Sequence, residues 1–371
     1  MTLIAHVADV HLGYAQYGLR EREEDIYQAF DETVEVILKE HARALLIAGD
    51  LFDAPRPPIK ALMKARERLG LLREKGVEIF HVLGDHEIPR RLSDLPPTAI
   101  LNGISKHVGL KKAKTEGGEI TIIGLDRTPP SLLRNSLTEL KRISAENNYG
   151  KRILIAHIPA YRPERGFELL PTGYNYYALG HEHDRKILSK NGSPAAYPGS
   201  IEILSTSEIG AWEKDGKGFF LIDFSGREPI LHKVNLTSIR PQKIFDTQSG
   251  ELERKLDEAV EWSLAQAKRP IVHFKIRGRR IDRSIIIRRI QEKLSEKVLY
   301  YRHEILEEEE EIELERPRRL DIKSMIREYM SAKGFRSEEI ELALAIYDSF
   351  ISGGPDAVQQ LIVRQVEERE P

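Results

Sequence analysis

The sequence predicts an α/β layered fold whose functional site lies at the C-terminal ends of its strands. Three observations predict it. Short apolar runs alternate with amphipathic stretches over residues 1–225, turn-forming residues close several of those runs, and acids and histidines follow five of them directly. The runs are Leu3 to Ala8, Ala44 to Ala48, Ile79 to Leu83, Ile120 to Gly124, Ile153 to Ala156, Tyr176 to Leu179 and Gly218 to Phe224. Their length and their Gly or Asp boundaries are those of strands. Between the first two, Arg22 to His41 sets Ile26, Phe30, Val34 and Ile37 on one helical face, and a second helix runs from Ile59 to Lys75.

Beyond Arg240 the rhythm changes. A helix (Glu251 to Ala267), a strand (Pro270 to Ile276), a basic helix (Arg283 to Lys293) and a strand (Lys297 to His303) make a small α/β domain. Ile285, Ile286, Ile287 and Ile290 read as the packing face of that basic helix. A glutamate-rich run from Glu307, ending at Pro317, reads as a linker. Helical segments follow at Asp321 to Ala332, Glu338 to Ser352 and Asp356 to Glu368, punctuated by Gly334, Gly353, Gly354 and Pro355. The expected division is therefore 1–240, 241–306, 307–320 and 321–371.

Composition narrows the function classes. At 371 residues the chain is too long for one small core, and 40% hydrophobic content is ordinary for a globular protein. No stretch approaches about 18 consecutive apolar residues, so no membrane span is expected, and the N-terminus lacks the charged leader of a signal peptide. Without cysteine there is no disulfide framework and no thiolate ligand or nucleophile, and the cytoplasm is the expected location. Charged residues at 31%, with only four methionines, lean towards a thermophile. The net charge of −2 conceals segregation. Eight basic residues lie between Lys275 and Lys293, and seven glutamates between Glu307 and Glu315. A local basic patch can follow phosphates even on a chain of negative net charge.

The chemistry is carried by five segments: Asp9-Val10-His11, Gly49-Asp50-Leu51-Phe52, Gly84-Asp85-His86-Glu87, Ala156-His157-Ile158-Pro159 and Gly180-His181-Glu182-His183. If strand geometry persists, alternation lets Asp9 with His11, and His181 with His183, each aim two ligands at one place. The glycines before Asp50, Asp85 and His181 permit tight turns where the chain leaves the sheet. Oxygen and imidazole donors without sulfur suit manganese, iron or a catalytic zinc. Two such cations about 3.5–4 Å apart can clamp an in-line phosphoryl displacement.

The order and spelling of these segments resemble the motifs of the calcineurin-like metallophosphoesterases: D-x-H, G-D-x-F, G-N-H-[DE], a lone His and G-H-x-H. The stretches His6 to Tyr14, Ile47 to Phe52 with Arg56-Pro57, Tyr176 to His181 and Tyr197 to Ser200 resemble one branch closely. That branch is the archaeal meiotic recombination eleven nucleases, whose bacterial counterpart is SbcD. The resemblance implies a four-layer metallophosphoesterase β-sandwich flanked by helices, with a DNA-capping domain (241–306) and a C-terminal helical segment (321–371) that binds an SbcC-type coiled-coil ABC ATPase. It implies two Mn2+ ions, one held by Asp9, His11, Asp50 and His183, the other by Asp50, Asp85, His157 and His181. His86 would act beside the scissile phosphate as general acid or charge stabiliser, and Glu87 would orient a neighbour or serve as a structural acid.

The activity implied is exonuclease and single-strand endonuclease processing of DNA double-strand-break ends, by a homodimer associated with the nucleoid. Two residues depart from the pattern. Asp85 stands where the family has Asn, adding negative charge before the phosphate, and Asp53 stands where some members carry His. Outside the site, Arg90, Arg91, Arg279, Arg280 and Arg283 are candidate DNA contacts. The amphipathic residues Ile322, Met325, Ile326, Tyr329, Ile340, Leu344 and Tyr347 are candidate contacts to the ATPase. Two other readings stand beside the nuclease: a small-molecule phosphodiesterase of the same fold, and a DNA-end-binding scaffold whose catalysis Asp85 weakens.

Overall fold

The strands β1 (Leu3–Val7), β2 (Ala44–Ala48) and β3 (Glu78–Val82) are apolar along most of their length because both of their faces are covered. The structure is a computed structural model that describes residues 2–89, 91, 93–116, 118–145, 150–161, 166–279, 281–307 and 321–367. Residues 1–308 form one compact unit and residues 309–371 a second.

Two six-stranded sheets make the larger part of the first unit. One joins β1, β2, β3 and the short β4 (Lys106–His107) in parallel. The other contains β5 (Lys112–Lys114), β6 (Ile120–Leu125), β7 (Lys151–His157), β8 (Tyr176–Gly180), β9 (Lys186–Lys190) and β10 (Ser193–Tyr197), with β6, β7 and β8 parallel. The chain then returns to the first sheet, where β11 (Gly218–Asp223) pairs antiparallel with β1, and β12 (Ile230–Asn235) forms the edge. Ile4, Leu46 and Phe80 of one sheet share a core with Ile122, Ile153 and Tyr176 of the other. Outside the first sheet, α1 (Arg20–Lys39) and α2 (Ile59–Glu74) bury Ile26, Phe30, Val34, Ile37 and Leu69 against its Ala5, Leu45 and Ile47. Outside the second, α3 (Pro130–Ala145) packs Leu140 and Ile143 on Ile123 and Leu154. Each side chain so buried contributes roughly 1.5–3 kcal/mol. The four layers of the sandwich follow, and the short α4 (Ile209–Asp215) lies before β11.

The all-parallel sheet β13 (Gln242–Gln248), β14 (Ile271–Gly278), β15 (Tyr300–Glu307) belongs to the same unit. It carries α5 (Leu252–Leu264) and α6 (Arg283–Leu294). On α6 the expected packing face is corrected: Ile286 and Ile290 are buried, whereas Ile285 and Ile287 are exposed. Successive residues of a helix diverge by about 100°, so three consecutive isoleucines cannot share a face, and the true stripe is Ile286, Ile290, Leu294. A buried ionic seam ties this part to the sandwich. Arg22 pairs with Asp25 at 2.6 Å and Glu202 at 3.2 Å, Arg240 pairs with Asp25, and Gln242 donates to Gln16. In the second unit, α7 (Ile322–Ala332) and α8 (Ser337–Glu367) pack on each other, and α8 is broken at Gly354. Among the described residues no helix is long and apolar enough to cross a membrane.

Candidate metal centre

The five segments leave β1, β2, β3, β7 and β8 at one end of the sandwich. Their convergence is not produced by strand alternation, which corrects the expectation drawn for Asp9 with His11 and His181 with His183. β1 stops at Val7, β2 at Ala48 and β8 at Gly180, and the chain then turns through left-handed backbone at Asp9 (φ 52°), His11 (φ 53°), Asp50 (φ 50°) and His181 (φ 107°). Positive φ is uncommon outside glycine, and its concentration on four candidate ligands marks a site that holds unfavourable backbone for function. His181 and His183 serve different clusters.

Asp9, His11 and His183 form one cluster, and Asp85, His157 and His181 another. Asp9, Asp50 and His157 form a third group between them. His157 Nε2 lies 3.2 Å from Asp50 Oδ2 and 3.5 Å from Asp85 Oδ2 without being aligned to donate to either. His11 Nε2 is likewise buried without a hydrogen-bond partner. Orphaned imidazole nitrogens beside carboxylates are a donor set that fits divalent cations. The electrostatics agree. Burial opposes charge on His157, yet Asp50, Asp85 and Asp9 hold its proton well above the usual imidazole range. Burial also pushes the Asp9 carboxyl up, with Asp50 adding to it. Both shifts favour positive charge among these side chains, as a cation site does.

Residues behind the ligands set their orientation. His157 donates Nδ1–H to the Ala48 carbonyl at 2.9 Å, and His183 Nδ1 meets Glu208 Oε1 at 3.1 Å, so each turns Nε2 towards the cluster. Glu208 is buried and also receives the ammonium of the buried Lys217 at 2.5 Å. Asp53 Oδ1 lies 3.1 Å from His11 Nδ1, which gives the departure at position 53 a role in holding that imidazole. Glu87 accepts the N–H groups of Phe52 and Gly84, both at 3.1 Å, and burial pushes its carboxyl up to about 8. It therefore joins two ligand loops as a structural acid.

Of the three glycines, Gly49 has φ 89° and serves the tight turn as expected. Gly84 and Gly180 serve close approach instead, since a Cβ would lie 2.2 Å from Asp50 Oδ1 and 1.9 Å from the Ala48 carbonyl oxygen, respectively. Sequence reasoning did not find Glu208, Lys217 or Arg127. Arg127 follows β6 and pairs with Asp85, so the charge at that departure is met by a cation.

Residues 2–185 match the calcineurin-like phosphoesterase family. Three similar proteins are each called DNA double-strand break repair protein Mre11. The protein from Sulfurisphaera tokodaii is 34% identical over 303 residues, covering 78% of this chain and 77% of its own length. That from Saccharolobus solfataricus is 32% identical, covering 93% and 94%. This chain belongs to the Mre11 family. The Methanocaldococcus jannaschii protein agrees, at 32% identity covering 94% of this chain and 95% of its own. As a member of the Mre11 family the chain is a metal-dependent phosphoesterase, built on the calcineurin-like fold described above.

Placed on this Mre11-family scaffold, the surface candidates separate. Arg90, Arg280 and residues 308–320 of the acidic linker lie outside the described residues, while Glu307 ends β15. Arg91 is exposed and lines a cavity of about 780 Å3 with Arg56 and Pro89. Arg279 and Arg283 are exposed, but Arg289 and Lys293 are engaged by Glu253, Glu292 and Asp257. Of the seven C-terminal candidates, Ile340 and Leu344 are buried and Ile326 and Tyr347 half-buried, whereas Ile322, Met325 and Tyr329 are exposed.

Proposed function

We propose that this chain is a manganese-dependent DNA exonuclease and single-strand endonuclease that processes double-strand-break ends with an SbcC-type coiled-coil ABC ATPase. The observation that carries the reading is the pair of ligand clusters meeting at Asp9, Asp50 and His157 in a chain of the Mre11 family. One Mn2+ would be held by Asp9, His11, Asp50 and His183, the other by Asp50, Asp85, His157 and His181, with Asp50 shared. When bound, the two ions supply Lewis-acid activation of the phosphodiester and a hydroxide nucleophile. The chain's own part is orientation and proton handling. His86 is 46% exposed at its side chain and its Nδ1 lies 2.8 Å from the Asp53 carbonyl, which leaves Nε2 for the scissile phosphate or the leaving oxygen.

Residues 241–306 would cap the DNA, with Arg279, Arg280 and Arg283 as phosphate contacts there and Arg90 and Arg91 as contacts beside the site. The exposed Ile322, Met325 and Tyr329 would meet the coiled coil, Ile326 and Tyr347 would flank them, and Ile340 and Leu344 would support that face. A homodimer would bury the exposed Ile59 and Met63 of α2 with Ile100, whose carbonyl accepts from Arg66 at 2.6 Å. The test is incubation with Mn2+ and end-labelled duplex or circular single-stranded DNA. Nucleotide release and nicking support the reading, and loss of both in His86→Ala with Mn2+ binding intact assigns His86 its role. Absence of both activities in the wild-type protein would favour the scaffold. Loss of ATPase binding on deletion of residues 321–371 tests the partner.

A further inference from the structure

We infer that Asp85 and Arg127 act as one neutral unit, with Arg127 a positioning residue that lets a carboxylate serve where the family's motif has an amide. This rests on the reading of Asp85 as a metal ligand. The two oxygens of Asp85 are divided. Oδ2 faces the cluster, 3.0 Å from His181 Nδ1 and 3.5 Å from His157 Nε2. Oδ1 receives Nε–H of Arg127. An asparagine at this position would offer one oxygen inward and keep a neutral group outward. The Asp–Arg pair reproduces that pattern, with one oxygen turned to the cluster and the residual charge cancelled.

Arg127 is held for this task. Its N–H donates to the Leu83 carbonyl at 2.8 Å, and the Leu83 N–H donates to Asp126 Oδ1 at 2.8 Å, so the loop after β6 is clamped beside the Asp85 turn. Both side chains are a little over one quarter exposed, at 29% for Asp85 and 28% for Arg127, and water screens the pair only in part. Arg127 also lines the cavity of about 220 Å3 beside Asp85, His157 and His181. The guanidinium thus neutralises an acid that would otherwise face an incoming phosphate.

Calorimetric titration of the full chain with MnCl2 tests the pairing, with thermal unfolding of each variant as the check on folding. The wild-type protein binds two ions. Asp85→Asn leaves Arg127 uncompensated beside the second ion and weakens that ion by roughly tenfold or more. Asp85→Asn with Arg127→Gln restores neutrality and returns the affinity to within about threefold of wild type. A merely structural role for Arg127 predicts the opposite, a double variant that binds more weakly than Asp85→Asn alone, and that result overturns the proposal. An Asp85→Asn protein that binds as wild type does so too. A wild-type protein that binds fewer than two ions overturns the metal-centre reading itself.

Discussion

Replacing Glu208 by Gln changes one atom and should cost more than most core substitutions. The carboxylate is 3% exposed and serves two cationic or donor partners at once: Oε1 meets His183 Nδ1 at 3.1 Å, and Oε2 receives Lys217 Nζ at 2.5 Å. Ser200, Ser205 and the Leu204 N–H complete its shell. Burial works against ionisation, but His183 and Lys217 outweigh it and hold the carboxyl well below its ordinary range. Glu208→Gln leaves the buried Lys217 ammonium without a counter-charge. The amide must also present its NH2 to one of two donors. Breaking a buried pair by removing one partner costs about 3–5 kcal/mol, a large part of the roughly 5–15 kcal/mol that holds a domain together.

Urea unfolding measures that loss as a lower midpoint at unchanged slope. Because the folded pKa of Glu208 is depressed, its stabilisation is present above the ordinary carboxylate range and fades as pH falls through the folded value. The gap between wild type and variant should therefore narrow in acid. Glu208→Gln combined with Lys217→Met removes both charges and should recover most of the stability. Affinity for Mn2+ should stay about 10–100-fold weak in the double variant, because His183 has lost the carboxylate that orients it. A single variant less than about 1 kcal/mol weaker, or a double variant with wild-type metal affinity, refutes this reasoning.

Burial holds His6 and His81 neutral, each lowered to about 3. The unfolded chain takes up protons near pH 6.5 that the fold refuses, so stability is fully present above that pH and is lost on acidification. The loss should be about 2 kcal/mol per histidine between pH 7 and pH 5, and His81→Asn should remove one such share from urea unfolding at the two pH values. An unchanged slope would count against it. Gly84→Ala forces a Cβ to within 2.2 Å of Asp50 Oδ1 and 2.4 Å of its backbone nitrogen. It should cost about 1–3 kcal/mol and weaken Mn2+ binding, and calorimetry showing intact binding would contradict the close approach. Lys293→Ala, a half-buried and ion-paired residue of α6, should leave the urea midpoint close to that of wild type and DNA affinity in a gel-shift assay nearly unchanged.

The sandwich was legible where strands are buried on both faces, because such strands read as unbroken apolar runs. β1, β2, β3 and β11 were found this way, and α1 by the spacing of Ile26, Phe30, Val34 and Ile37 on one face. The strands that escaped notice are short or half-exposed. β9 (Lys186-Ile187-Leu188-Ser189-Lys190) and β12 mix polar with apolar residues at a sheet edge, in no regular alternation, and β4 spans only two residues. In the site, each candidate ligand announced itself by following a strand. What those ligands need from the rest of the chain did not. Glu208 lies 25 positions from His183 and Arg127 lies 42 from Asp85, and only the folded sheets bring them together. The left-handed turns were hidden for a related reason: Asp and His tolerate positive φ, but nothing local demands it of them.

We propose that seven side chains hold two ions at one end of the sandwich. A crystal soaked in MnCl2 and measured at the manganese absorption edge tests it most directly. Two anomalous peaks about 3.5–4 Å apart are predicted, the first among Asp9, His11, Asp50 and His183, the second among Asp50, Asp85, His157 and His181. A single peak, or peaks away from Asp50, would contradict it.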